Sequence, residues 1–250
     1  MSGPATPAPS ASARAPAPPR RTVRDEAVSW AKSIGIALVV WIVLRSYVVE
    51  AFRIPSGSME NTLLVGDFLF VDKAAYGGVL QIPLTGIRAL HVGGYAQPHH
   101  DGIVIFRSVE DSTPNLDIVK RLMGEPGDTL QMVRDTIIRN SRRLNEPYAL
   151  YVGATIEDPQ VLGEMRAHQL PHYIGKDPGR YHPDTHNWGP IVVPPDSFWV
   201  MGDNRDDSRD SRFWGFLPRS HIEGRPLFIY LSVASDPFRI RWNRFFRPPR

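Results

Sequence analysis

The sequence predicts a mostly β protein: an antiparallel β-sheet domain bearing an inserted β-rich cap, preceded by one N-terminal transmembrane helix. Three observations carry that prediction. An unbroken apolar run covers Ile34–Leu44 and is bounded by Lys32 and Arg45, whose long stems can reach two membrane interfaces. Beyond it, the helical period gives way to short runs of alternating or continuous apolar residues. Those runs are bounded by Gly, Pro, Asn and Asp, the punctuation of strands rather than helices.

Taken in order, residues 1–25 read as a disordered cytoplasmic tail, because 1–20 are almost entirely Pro, Ala, Ser and Arg. Such a stretch has too little apolar area to offset the entropy of ordering it. Residues 26–50 read as a single membrane anchor through Trp30–Val49. The run is short for a span, so a cleaved signal peptide and a buried core helix stand as alternatives. Arg14, Arg20, Arg21 and Arg24 precede it and place the N-terminus inside and everything after residue 50 outside.

Strands are expected at Asp67–Val71, Gly102–Phe106, Asp117–Met123, Thr129–Ile138, Ser197–Met201 and Pro226–Ser232. They assign the main β domain to 51–138 and 196–235. The Pro-, His- and Gly-rich stretch 139–195 reads as an inserted cap. In 236–250, Arg alternates with Phe238, Trp242, Phe245 and Phe246, which suits either an anionic lipid interface or a last strand with a solvated tail.

Composition excludes several classes. There is no cysteine, hence no disulfide, thiolate metal site or cysteine nucleophile. The net charge of +3 is concentrated at the two ends, with Arg239, Arg241, Arg244, Arg247 and Arg250 at the second. A near-neutral middle argues against nucleic acid as a partner and leaves membrane phospholipid as the expected basic-end partner. No cofactor is expected. His99-His100-Asp101 and the pair His182 and His186 are the metal candidates, but Pro183 interrupts helical i,i+4 presentation, and no metal site is assigned.

Three segments can carry chemistry. Ile54-Pro55-Ser56-Gly57-Ser58-Met59 places two hydroxyls on a tight turn, although Ser-Gly-Ser is most often only a loop. A serine nucleophile needs a base, and no G-x-S-x-G elbow or histidine setting offers one. Lysine occurs only at 32, 73, 120 and 176. Lys120 alone sits among apolar neighbours, Ile118, Val119, Leu122 and Met123. A lysine held there loses hydration of its charged form, its pKa falls, and the neutral amine can accept a serine proton; arginine cannot do this. The plain alternative is a strand lysine facing solvent. The third segment, Gly202–Phe216, leaves a strand with a dense mixture of Asp, Arg and Ser, and ends on Phe213-Trp214-Gly215-Phe216, which should pack inward.

Together these segments resemble the bacterial type I signal peptidases, a Ser/Lys-dyad family. The blocks are IPSGSM at 54–59, GDFLFVDKAAYG at 66–77, VKRLMGEPGD at 119–128 and GDNRDDSRDSRFWGF at 202–216, in the family's order and after an apolar helix. The resemblance implies a membrane-bound serine endopeptidase of the bacterial cytoplasmic membrane. It would be single-pass, its catalytic domain on the outer side, and it would remove signal peptides from exported preproteins. It implies Ser58 as nucleophile, Lys120 as general base, and an oxyanion hole from the Ser56 hydroxyl and the Ser58 amide. Ser208 matches a serine that holds the lysine; Asp210 and Arg212 match supporting residues, as do Asp203 and Arg121, which would form ion pairs shaping the floor. Phe106, Ile118 and Val200 fall where the family lines its lysine or substrate pockets. Two positions depart from the pattern: His100-Asp101-Gly102 stands where Arg-Gly-Asp is common, and Asn61 where Pro is frequent. Rival readings are a specialised Ser/Lys processing peptidase and a non-catalytic tethered β domain that binds exported chains. Self-cleaving repressors share the dyad but carry a helix-turn-helix this chain lacks.

Overall fold

The computed structural model describes residues 22–43, 49–81, 88–114, 116–153 and 158–249. The chain divides into two compact units, residues 1–41 and 42–250.

In the first unit, helix α1 covers Val23–Val43. It starts three residues before the expected anchor because Thr22 caps it: the Thr22 hydroxyl accepts from the Asp25 N–H at 3.2 Å while the Asp25 carboxylate accepts the Thr22 N–H at 3.1 Å. Its first turns therefore carry Arg24, Asp25 and Glu26. Among the described residues no helix is long and apolar enough to cross a membrane. The expected anchor also ends sooner than 50, because Val49 and Glu50 open a strand. Residues 44–48 of that anchor, and most of the tail, lie outside the described residues.

The second unit is built on antiparallel sheet. Its strands are β1 Val49–Arg53, β2 Asp67–Asp72, β3 Gly77–Gln81, β4 Arg88–Gly93, β5 Ile103–Arg107, β6 Asp117–Gly124, β7 Thr129–Val133, β8 Thr136–Arg139 and β9 Arg142–Arg143. Helix α2, Pro159–Gln169, follows; then come β10 Trp188–Val192, β11 Ser197–Met201, helix α3 Ser211–Trp214, β12 Leu217–Pro218, β13 Ile222–Ser235 and β14 Phe238–Ile240. Eight strands form the main sheet in the order β1-β2-β13-β5-β6-β11-β12, with β14 paired to β13. Five of the six expected strand segments fall on single strands. Thr129–Ile138 is a hairpin rather than one strand, because Arg134 and Asp135 both take positive φ, 47° and 65°, as a type I′ turn requires.

The expected cap boundary at 139 cuts through a second sheet, β10-β7-β8-β9. Thr129–Val133 pairs with Trp188–Val192 from the far end of the insertion, so the insertion shares its sheet with the main domain. It also holds a helix, α2, in a stretch that had no clear strand pattern; Asp158 caps it by accepting from Gln160 N–H. The C-terminal segment is folded onto the sheet: β14 makes a hairpin with β13, and Arg244 reaches the buried Asp67 at 2.6 Å.

Strand β6 separates two apolar layers. Ile118 and Leu122 face a cluster with Val104, Phe106, Phe198, Val200, Phe213 and Trp214. Val119 faces the other, with Ile54, Met59, Leu63, Ile103 and Ile105. The period of two along β6 therefore sends Lys120 and Arg121 to opposite faces, both inside.

Candidate active site

Lys120 sits at the centre of β6, paired with Val104 of β5, and is 3% exposed. Its face is the one lined by Phe106, Val200 and the partly buried Ile118. Loss of hydration lowers its pKa from the ordinary 10.5 to about 8. The largest opposing influence is Asp210, whose charge is answered by Arg212. Lys73, by contrast, pairs with Glu50 at 2.8 Å at the surface.

Ser58 is half-buried on the turn that leaves β1, and Ser56, two residues earlier, is exposed. The turn winds through one helical loop, with the Glu60 N–H donating to Gly57 C=O at 2.9 Å and the Leu63 N–H to Met59 C=O at 2.7 Å. Met59 and Leu63, buried in the second apolar layer, fasten it from below. From the other side, Asn204 N–H donates to Ser58 C=O at 3.1 Å, and Asn204 Nδ2 to Gly57 C=O at 3.3 Å.

The loop after β11 ties these parts together. Gly202 must be glycine, since a Cβ there would lie 2.3 Å from Ser208 Oγ and 2.4 Å from the Ser58 carbonyl oxygen. The same close approach shows that the loop lies directly against the Ser58 turn. Ser208, 7% exposed, donates to Asp210 Oδ2 at 2.8 Å. Asp210 caps α3 and accepts twice from Arg212 at 2.9 Å. Burial alone would raise the Asp210 pKa, but the Arg212 guanidinium holds it below the usual carboxylate value. Asp203 accepts from Arg121 at 2.8 and 2.7 Å in a fully buried two-pronged pair, and Arg121 also donates to Asp101 C=O at 2.9 Å. The loop thus holds the Ser58 turn, Ser208 and the Asp210–Arg212 pair, and Asp203 ties it to Arg121, the neighbour of Lys120 on β6.

Sequence reasoning assigned no role to Asn204, Arg205, Thr62, Glu146 or Tyr148. Thr62 donates to Asp203; Arg205 is buried and pairs with Glu146; the Tyr148 ring stacks on the Arg121 guanidinium at 3.7 Å. Asn204 and Arg205 stood inside a matching block, but the tyrosine and glutamate come from the insertion, where no pattern marked them. Among the described residues no group of three or more His, Asp or Glu is placed to hold a metal ion.

The Ser58 turn lies at the end of an edge strand and a dehydrated lysine stands on β6, and the comparisons define the class: this is a serine peptidase. More particularly, the chain belongs to the family described as signal peptidase, peptidase S26, whose profile matches residues 27–231. The Signal peptidase I of Pseudomonas aeruginosa is 34% identical over 223 residues, covering 82% of this chain and 72% of that protein. The Signal peptidase I of Haemophilus influenzae is 29% identical, covering 89% of this chain and 76% of its own. Among solved structures, a signal peptidase I from Enterococcus faecalis is 26% identical, covers 52% of this chain and 96% of its own, and superposes with a TM-score of 0.33.

Proposed function

We propose that this chain removes signal peptides from exported preproteins, with Ser58 as nucleophile and neutral Lys120 as general base. The observation that carries the reading is Lys120: an amine 3% exposed, lowered to about 8, on the strand beside the loop that holds the Ser58 turn. At that pKa about a tenth of the lysine is neutral at pH 7, against fewer than about one in a thousand for an ordinary lysine.

The reaction is acyl transfer. Lys120 takes the Ser58 proton as Oγ attacks the scissile carbonyl. The oxyanion that forms is met by the Ser58 N–H and the Ser56 hydroxyl. The ammonium then gives its proton to the departing amine, leaving an ester on Ser58. Water, deprotonated by the same lysine, hydrolyses that ester and restores the enzyme. Ser208 and the Asp210–Arg212 pair hold the lysine, Arg121–Asp203 holds the loop, and Phe106, Ile118 and Val200 keep the amine dry. Strand β1 lies at a sheet edge and feeds straight into the nucleophile turn, so an extended peptide can pair along it.

Anchoring belongs to the same proposal. The apolar run from Ile34 to Leu44 supports a single-pass anchor in the bacterial cytoplasmic membrane, N-terminus inside and β domain outside. From Leu44, the end of that run, to Ser58 is fourteen residues, at most about 50 Å extended, which tethers the nucleophile to the side where signal peptides emerge. Phe238, Trp242 and Phe246, exposed by 77%, 69% and 74% among arginines, suit contact with phospholipid. The test is cleavage of a preprotein by the full chain in detergent: wild type cuts, while Ser58→Ala and Lys120→Ala leave the preprotein whole. Cleavage by either variant rejects the dyad.

A further inference from the structure

The insertion has no role in the reaction as described, yet one stretch of it, residues 146–153, runs against the loop that holds the nucleophile turn. Leu150 forms a parallel bridge around Asn204: its N–H donates to Asp203 C=O at 2.7 Å, and its C=O accepts from Arg205 N–H at 2.8 Å. Asn204 is therefore clasped on both sides by backbone bonds to the insertion, and it is Asn204 that reaches the two carbonyls of Gly57 and Ser58.

A second tie avoids the loop altogether. Asn61, on the nucleophile turn itself, donates from Nδ2 to Tyr148 C=O at 3.0 Å. Asn61 has φ of 84°, a left-handed conformation that asparagine tolerates and proline, locked near −65°, cannot adopt. The departure from proline at this position thus changes the course of the turn, and the amide that replaces the ring binds the insertion. The strut is itself anchored: the Tyr151 hydroxyl accepts from Arg205 at 3.0 Å and donates to the Asp135 carbonyl of the β7–β8 turn at 2.8 Å, so it bears on the second sheet.

We propose that Asn61 and Asn204 are positioning residues through which the strut 146–153 of the insertion sets the Ser58 turn for attack. Neither takes part in the acyl transfer itself. Both fix where the Ser58 backbone, and with it Oγ and the amide of the oxyanion hole, stands relative to Lys120. A misplacement of about 1 Å in such a group costs about 10²-fold in rate.

The proposal rests on the peptidase reading, and its test separates the two. Wild type, Asn204→Ala and Asn61→Gly, the last keeping positive φ while losing the amide, are compared as full chains in detergent on one preprotein. The expected result is a kcat lower by about 10- to 100-fold for Asn204→Ala and by a smaller factor for Asn61→Gly, with KM within about two-fold. The ascending limb of the pH profile stays near pH 8, because the amine's surroundings are untouched. Hydrogen exchange of peptides covering 56–64 is expected to quicken in both variants. A raised KM at unchanged kcat, a moved pH limb, or unchanged kcat in both variants overturns the proposal. A wild type that leaves preproteins whole sinks the peptidase reading alone; unchanged exchange in both variants sinks the strut. Asn61→Gly carries the comparison if Asn204→Ala does not fold.

Discussion

Lys120 and Arg121 are adjacent cations on one strand, both almost fully buried, and the protein treats them in opposite ways. Arg121 faces a carboxylate made for it: Asp203 accepts two bonds, Tyr148 stacks over the guanidinium, and the pKa is driven further up. Lys120 faces Val104, Phe106 and Val200, and its pKa falls to about 8. Burial is common to both, so burial alone decides nothing. A partner at hydrogen-bond distance locks a charge in place, whereas an apolar wall releases a proton. The Arg121 face holds its charge, and the Lys120 face makes the proton easier to lose, as the proposed mechanism requires.

The harshest way to break this contrast is to make the second residue like the first. Lys120→Arg keeps the positive charge and most of the bulk but cannot deprotonate, so cleavage is expected to fall by at least about 10³-fold. A preprotein assay reading more than a few per cent of wild-type rate removes the need for a neutral amine.

Next in size is the loss of the locked pair. Arg121→Met leaves the Asp203 charge buried with the Thr62 hydroxyl but no cation to answer it, and breaking such a pair costs about 3–5 kcal/mol, read as a lower midpoint in urea. If stability is unchanged, the pair is not what holds the loop.

The smallest effect sharpens the other side. Lys120→Met is expected to stabilise the fold while abolishing activity. The amine's pKa is about 8 folded against 10.5 in the ordinary state, so the unfolded chain binds more protons between those values and wild-type stability rises with pH across that window. The gain from methionine is therefore largest below pH 8, on the order of 3 kcal/mol, and narrows towards pH 10.5. Thermal unfolding of both proteins at pH 7 and 10 reads it; a gap that widens with pH has the wrong sign.

Much of this was legible in sequence because it is local. The apolar neighbours of Lys120, the scarcity of lysine and the Ser-Gly-Ser turn stand in short runs, and five of the six expected strands are present as single strands. What was missed depends on partners far along the chain. Val49 and Glu50 read as the end of an apolar helix, since a short apolar run does not reveal whether it will pair, and here it pairs with Asp72 and Val71. The insertion's sheet was cut at 139 because Thr129–Val133 finds its partner at Trp188–Val192, some sixty residues on. Glu146, Tyr148 and Leu150 carried no pattern, because what distinguishes them is contact with Arg205, Arg121 and Asn204.

The central claim is that a lysine, readier to lose its proton because it is dry, drives the serine, and the pH dependence of kcat/KM for preprotein cleavage tests it most directly. The expected profile ascends through a single proton loss near pH 8 in wild type. A limb near pH 6.5, the mark of a histidine, or one as high as an ordinary lysine would contradict it.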